Sequence, residues 1–172
     1  MVVELRADEI FACLERHGVQ YVVIGGLAGI LHGSPQVTFD ADICPEQSPS
    51  NLEKLAAALC EMRARIRTSD VPEGLPFACE AAFLARVQML NLVTSLGDLD
   101  LSFHPSGTGG FDDLISRAEA MTVKGWDVRV AALEDVIRSK EAAGRPKDER
   151  ALPMLRQLLD EVRARGREGK KP

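Results

Sequence analysis

Rings are scarce in this chain. Aromatic residues make up 5% of its 172 positions, with one Trp, one Tyr and six Phe. That leaves no platform on which successive bases of a single strand could stack. Long apolar runs are missing too: each is broken by charge well short of the ~20 residues that span a bilayer, so no membrane partner is expected. Near the N-terminus, Glu4, Arg6, Asp8 and Glu9 stand where a signal peptide would carry its apolar stretch. Export is therefore not expected, and a cytoplasmic location is. The four cysteines, Cys13, Cys44, Cys60 and Cys79, form no C-x-x-C pair, which argues against a zinc ribbon or a disulfide framework. Positive charge is short in residues 1–137, where 10 Lys/Arg face 20 Asp/Glu; from residue 138 onward 11 Lys/Arg face 6 Asp/Glu. A basic segment on an acidic body suits phosphates of a nucleotide or RNA, although an Arg-rich solvated helix has the same composition.

What is present is an ordinary globular composition, 45% hydrophobic and 27% charged, long enough for one domain. Leu5, Ile10, Phe11 and Leu14 predict a first helix closing at Gly18. Tyr21–Ile24 reads as a buried strand ended by Gly25 and Gly26, followed by a short helix from Leu27 to His32. A second strand is expected over 37–44, and Ser48-Pro49 opens a helix striped by Leu52, Leu55, Ala56, Leu59 and Met62. Residues 68–76 read as a loop and 78–85 as a short helix. Two strands, 87–93 and 99–103, bracket the Leu96-Gly97 turn. A helix over 112–120, short strands at 121–123 and 128–130 about Gly125, and helices over 133–143 and from Pro146 to about Arg165 complete the order. The class is α/β (α+β): a small mixed sheet flanked by helices, with a helical C-terminal portion.

Asp40 and Asp42 stand two apart on a strand, so both side chains point to one face. Like charges held so close repel, and a divalent cation between them removes the penalty. Mg²⁺ (or Mn²⁺) takes a few carboxylate oxygens and leaves positions for water and substrate phosphate. Asp98 and Asp100 repeat the spacing. Asp100, flanked by Leu99 and Leu101, is the expected third metal ligand and catalytic base, whereas Asp98 follows the turn glycine and is expected in solvent. Gly25 and Gly26 offer backbone that a phosphate can approach. Each element alone is a weak motif, being equally a tight turn or a solvated acidic strand.

Gly25-Gly26, His32-Gly33 and Thr38-x-Asp40-x-Asp42-Ile43 together resemble the signature of the DNA polymerase β-type nucleotidyltransferase superfamily. Leu92–Leu101 and Leu133–Asp148 are similar to corresponding stretches of the AbiEii-like nucleotidyltransferases, the toxins of certain bacterial toxin–antitoxin pairs. The resemblance implies a nucleotidyltransferase core over residues 1–130 and a helical segment over 131–165 packed on it as a single domain. A disordered basic tail over 166–172 is also expected. It implies metal ligation by Asp40, Asp42 and Asp100, with a triphosphate facing Gly25, Gly26 and Thr38. Lys140, Arg145 and Asp148 would contribute to nucleotide or acceptor binding, Lys140 also to catalysis. The implied partners are an NTP, a tRNA or protein acceptor, and a cognate antitoxin. Many members carry an arginine where Gln36 stands and a polar residue where Phe39 stands. The alternative is therefore a catalytically weak or inactive nucleotide-binding or partner-binding module of the same fold. His32 reads as a packing residue and His104 as a loop residue; neither is expected to act as a base.

Overall fold

The computed structural model describes residues 3–169. In chain order it comprises α1 (Ala7–Arg16), β1 (Tyr21–Ile24), α2 (Gly25–Leu31), β2 (Asp40–Pro45), α3 (Pro49–Glu61) and β3 (Arg65–Ile66). There follow α4 (Ala81–Leu84), β4 (Met89–Thr94), β5 (Gly97–Ser102), α5 (Phe111–Ile115), β6 (Glu119–Val123) and β7 (Trp126–Val130). The last two elements are α6 (Leu133–Ala143) and α7 (Pro146–Glu168). The strands form one seven-stranded mixed sheet in the order β3-β4-β5-β2-β1-β7-β6. β2 runs parallel to β5 and β1 parallel to β7, while the other pairs are antiparallel. This is the mixed, helix-flanked sheet with a helical C-terminal portion that the sequence predicts. Among the described residues no helix is long and apolar enough to cross a membrane.

Alternation along the central strands decides what is buried. Ala41, Ile43, Leu99 and Leu101 lie on one face with no solvent exposure, beside the buried Leu90 and Leu92 of β4. The opposite face carries the polar side chains of the same strands. α1 and α3 pack together, as do α2 with α6 and α6 with α7. α7 approaches α2 closely: a Cβ on Gly29 would lie 3.2 Å from Leu155 Cδ2, and Leu152 and Leu155 are buried there.

Several elements differ from expectation, and three of the differences follow from strand pairing. β2 starts at Asp40 and not near 37: its register on β5 leaves Val37 and Thr38 beyond Gly97, the first residue of β5, and Phe39 opposite Gly97 itself. The Val37 and Phe39 side chains are exposed. The helix expected over 112–120 stops at Ile115, since Glu119–Val123 joins a hairpin with β7 around Lys124-Gly125, both at positive φ. β3 was not expected; its two residues add to β4 through Arg65↔Val93 and Ile66↔Leu92. The expected disordered tail lies partly within α7, which continues to Glu168, and partly on residues 170–172, outside those described.

One buried side chain holds the start of β1 against the end of β2. Asn51, in the first turn of α3, accepts from Gln20 N at 2.7 Å. Its amide donates to Gln20 O at 2.9 Å and Glu46 O at 2.7 Å. Replacing it removes three bonds at a site 4% exposed. Asn51→Ala is expected to lower unfolding free energy by about 1–3 kcal/mol, read from urea denaturation followed by circular dichroism.

Candidate active site

The parallel register of β2 on β5 sets Asp40 opposite Asp98 and Asp42 opposite Asp100. Because side chains alternate, these residues share the face opposite Ala41, Ile43, Leu99 and Leu101. Carboxylate oxygens of Asp40, Asp42 and Asp100 lie within 4.8 Å of one another. The all-oxygen donor set fits Mg²⁺ or Mn²⁺, which take a few carboxylates and keep positions for water or phosphate. The Thr38 hydroxyl lies 3.0 Å from Asp40 Oδ1 and 3.1 Å from Asp40 O, fixing the residue where the loop becomes a strand.

The cost of this crowding is visible in the acidities. Burial, then the neighbouring charges of Asp40 and Asp100, raise the Asp42 carboxyl to about 7, with Lys147 and Lys140 opposing. Asp100 is raised as well, chiefly by burial, while the adjacent Arg67 pulls the other way. Asp98 departs from the cluster: its Oδ2 accepts from Arg67 at 2.7 Å.

Gly25 and Gly26 are the first two residues of α2 and not a linker before it. Gly25 has φ +65°, and a Cβ there would fall 2.5 Å from Asp42 Oδ2. Its missing side chain thus makes room for a candidate metal ligand, besides any room it leaves for phosphate. A Cβ on Gly26 would lie 3.3 Å from Thr38 Oγ1. Both glycines stand on the wall of a cavity of about 910 Å³ that also includes Asp40, Asp42 and Asp100.

Lys140, Arg145, Lys147 and Arg150 line the same cavity from α6, the α6–α7 joint and α7. Asp148 is fully buried behind two of them. Its Oδ2 accepts from Arg145 Nε at 2.6 Å and its Oδ1 from Lys140 Nζ at 3.3 Å. Burial alone would raise the Asp148 carboxyl, but bonds from Arg145 and Lys140 outweigh it and hold the group below its ordinary value. Asp148, expected with Lys140 and Arg145 to contribute to nucleotide or acceptor binding, is corrected in one respect: its side chain is enclosed and does not line the cavity, and both its oxygens are taken by cations that do. Lys140 sits in the last turn of α6, where it complements the helix dipole, before Gly144 at φ 59° ends the helix.

The remaining candidates separate cleanly. Gln36 lines the cavity. His32 is a packing residue, with Nε2 2.8 Å from Ala131 O, whereas the exposed His104 lies on the cavity wall. Arg67, Asn91 and Arg150 also line it and were not singled out from the sequence. Arg67 stands just beyond a two-residue strand, so no periodicity pointed to it. Arg150 follows Lys147 by one helical turn, a spacing legible in the sequence. A second cluster, Cys13, His17 and Glu61, has metal-ligand chemistry, but its polar groups are engaged: Glu61 pairs with Arg16 and His17 at 2.6 Å each, and the Cys13 thiol faces Ala58 O at 3.7 Å.

The raised Asp42 acidity has a signed consequence. With a folded value near 7 against 3.8 when unperturbed, metal-free protein is penalised for ionising Asp42 in full above pH 7. The penalty fades as pH falls from 7 towards 4 and is absent below. Asp42→Asn should therefore be more stable than wild type at pH 8 in EDTA, by up to about 4 kcal/mol, with the gap closing towards pH 4. Adding Mg²⁺ should raise the wild-type melting temperature and leave that of Asp42→Asn in place, both read by calorimetry.

No protein-family model matches the sequence, and no curated protein is similar enough to count as a relative. Solved structures are similar in fold. The lincosamide antibiotic adenylyltransferase LnuA, in a lincomycin-bound crystal structure, superposes with TM-score 0.58 at 16% identity over 90% of this chain and 99% of its own. The antibiotic-resistance factor ANT(2'')-Ia superposes with TM-score 0.55 at 14% identity over 94% of this chain and 89% of its own. A Thermotoga maritima protein described as a nucleotidyltransferase gives 0.52 at 17% identity, over 92% and 97%. At such low identity the likeness concerns architecture, and on that level the chain has the nucleotidyltransferase fold.

Proposed function

We propose that the protein is an Mg²⁺-dependent nucleotidyltransferase that moves a nucleoside monophosphate from an NTP to an acceptor hydroxyl. The observation that carries this reading is the β2–β5 register, which brings Asp40, Asp42 and Asp100 together in a cavity that Lys140, Arg145, Lys147 and Arg150 also line. Residues 1–130 would supply the carboxylates, Gly25, Gly26 and Thr38. Residues 131–165 would supply Lys140, Arg145, Lys147 and Arg150.

In this reading Asp40, Asp42 and Asp100 hold the metal, which when bound neutralises phosphate charge and favours the attacking oxygen and the pyrophosphate leaving group. Lys140 and Arg145, fixed by Asp148, and the exposed Lys147 and Arg150 neutralise the triphosphate. Asp100 accepts the acceptor hydroxyl's proton as its oxygen bonds to the α-phosphorus. The bond from that phosphorus to the bridging oxygen then breaks, and pyrophosphate leaves. Val37, Phe39 and Met89, all exposed on the cavity wall, give it an apolar rim where an acceptor can rest.

The resemblance to AbiEii-like proteins favours a tRNA or protein acceptor, a toxin role and a cognate antitoxin. The antibiotic adenylyltransferases with the same fold make a small hydroxyl compound a further acceptor class to include. A second reading, nucleotide binding without turnover, is favoured by Gln36, which puts a neutral side chain where many members of the family that the sequence resembles carry an arginine.

The experiment is incubation with each α-³²P-labelled NTP and Mg²⁺ against tRNA, lysate protein and a panel of hydroxyl compounds. Label should transfer to one class, and Asp42→Ala should reduce transfer by roughly 100-fold or more. Mg²⁺-dependent NTP binding with no labelled product would favour the non-catalytic module. Binding indifferent to both Mg²⁺ and Asp42→Asn would sink both readings. If the protein is a toxin, its expression arrests growth and Asp42→Ala relieves the arrest.

A further inference from the structure

The residue that stands out beyond the carboxylates and the cation wall is Arg67. Its backbone N–H donates to Asn91 O at 2.9 Å, extending the short β3 by one residue along β4. Asn91 is in register with Asp100, and Asp100 with Asp42. Arg67, Asn91, Asp100 and Asp42 thus form one row across four neighbouring strands. From the β3 end of that row the Arg67 side chain crosses β4 and forks over β5. One terminal nitrogen donates to Asp98 Oδ2 at 2.7 Å. The other lies 2.8 and 2.9 Å from the two oxygens of Asp100.

That fork has two unequal tines. The Asp100 tine engages both oxygens of a carboxylate that the metal and the acceptor proton also need. The Asp98 tine engages a residue outside the metal cluster, with 36% of its side chain exposed against 17% for Asp100. Swinging the guanidinium about the Asp98 contact would release Asp100 and keep one charged hydrogen bond intact. Withdrawal of the whole arginine is unnecessary.

Resting on the metal-site reading above, we propose that Arg67 is a resting-state clamp on Asp100, and that it hands its charge over to Asp98 when a divalent cation enters. In the absence of metal the guanidinium serves as the cluster's counter-cation and holds the Asp100 carboxylate in place. On metal binding the two positive charges compete for the same oxygens, and Asp98 is the seat to which Arg67 retires. With one D-x-D on each of two parallel strands, Asp98, the carboxylate outside the metal cluster, thereby gains a use.

Mn²⁺ affinity tests this without turnover, by electron paramagnetic resonance titration of the full chain without nucleotide. Arg67→Met, which removes clamp and charge, should bind Mn²⁺ at least roughly tenfold more tightly than wild type. Arg67→Lys keeps the charge and loses the fork, and it too should bind more tightly than wild type, by a smaller factor. Asp98→Asn should weaken Mn²⁺ binding, and by a larger factor in the wild-type background than in Arg67→Met, because only the former has a clamp to strand on Asp100. Thermal melts establish that each variant is folded, and Arg67→Lys decides the matter if Arg67→Met is not. Wild-type-like binding by folded Arg67→Lys, or equal Asp98→Asn effects in both backgrounds, would reduce Arg67 to a distant charge and overturn the clamp. Absence of Mn²⁺ binding in every variant, Arg67→Met included, would instead remove the metal site itself, and the clamp with it.

Discussion

Repulsion among carboxylates is the constraint around which this molecule is arranged. The parallel pairing of β2 with β5 brings four aspartates onto neighbouring positions of one sheet face, a placement no folding advantage would select. Much of the surrounding structure answers that charge. Arg67 reaches across β4 to two of the four. Thr38 lies beside a third. Lys140 and Lys147 act on Asp42 from the helices. These groups moderate the repulsion without cancelling it: burial first, and then the charges of Asp40 and Asp100, still raise the Asp42 carboxyl to about 7. A site left short of positive charge is one prepared to accept more.

The helical segment meets this need in a different way. Asp148, enclosed and fully buried, fastens Arg145 and Lys140 from behind, so two of the cavity's cations are set before any anion arrives. Holding them in advance removes part of the ordering cost that flexible basic side chains otherwise incur on binding. Lys147 and Arg150 are exposed and have no ion-pair partner among the described residues. The wall thus combines fixed and adaptable charge.

The local parts of this arrangement were legible in the sequence because their causes are local. Tyr21–Ile24 ends at two glycines, Pro49 opens α3 behind a Ser48 cap, and the spacing of Asp40 and Asp42 assigns both to one face. Choosing Asp100 over Asp98 for the cluster also followed from short-range reasoning about a turn. Pairing between distant strands was not legible. The early start assigned to β2 came from Val37 and Phe39, apolar residues that lie ahead of the strand and stand in solvent. Arg67 belongs to the same class: its importance comes from a partner strand after a long loop, and nothing within ten residues of it announces Asp100. Asp148 was read as one of the binding residues because an acidic residue among cations has the same sequence pattern whether it lies on the cavity wall or beneath it.

Gly25 carries a lesson about how such a site is mapped. Asp42 lies where a side chain on residue 25 would have been, so the space at position 25 is itself a working part of the site. Mutagenesis that trims side chains one at a time would record glycine as having nothing to trim and pass over it. Yet a single added carbon at residue 25 would displace the carboxylate as surely as deleting it, and would also strain a backbone at φ +65°. A map of this protein drawn only by subtraction would therefore leave a blank at one of its most constrained positions; only substitutions that add atoms would fill it in.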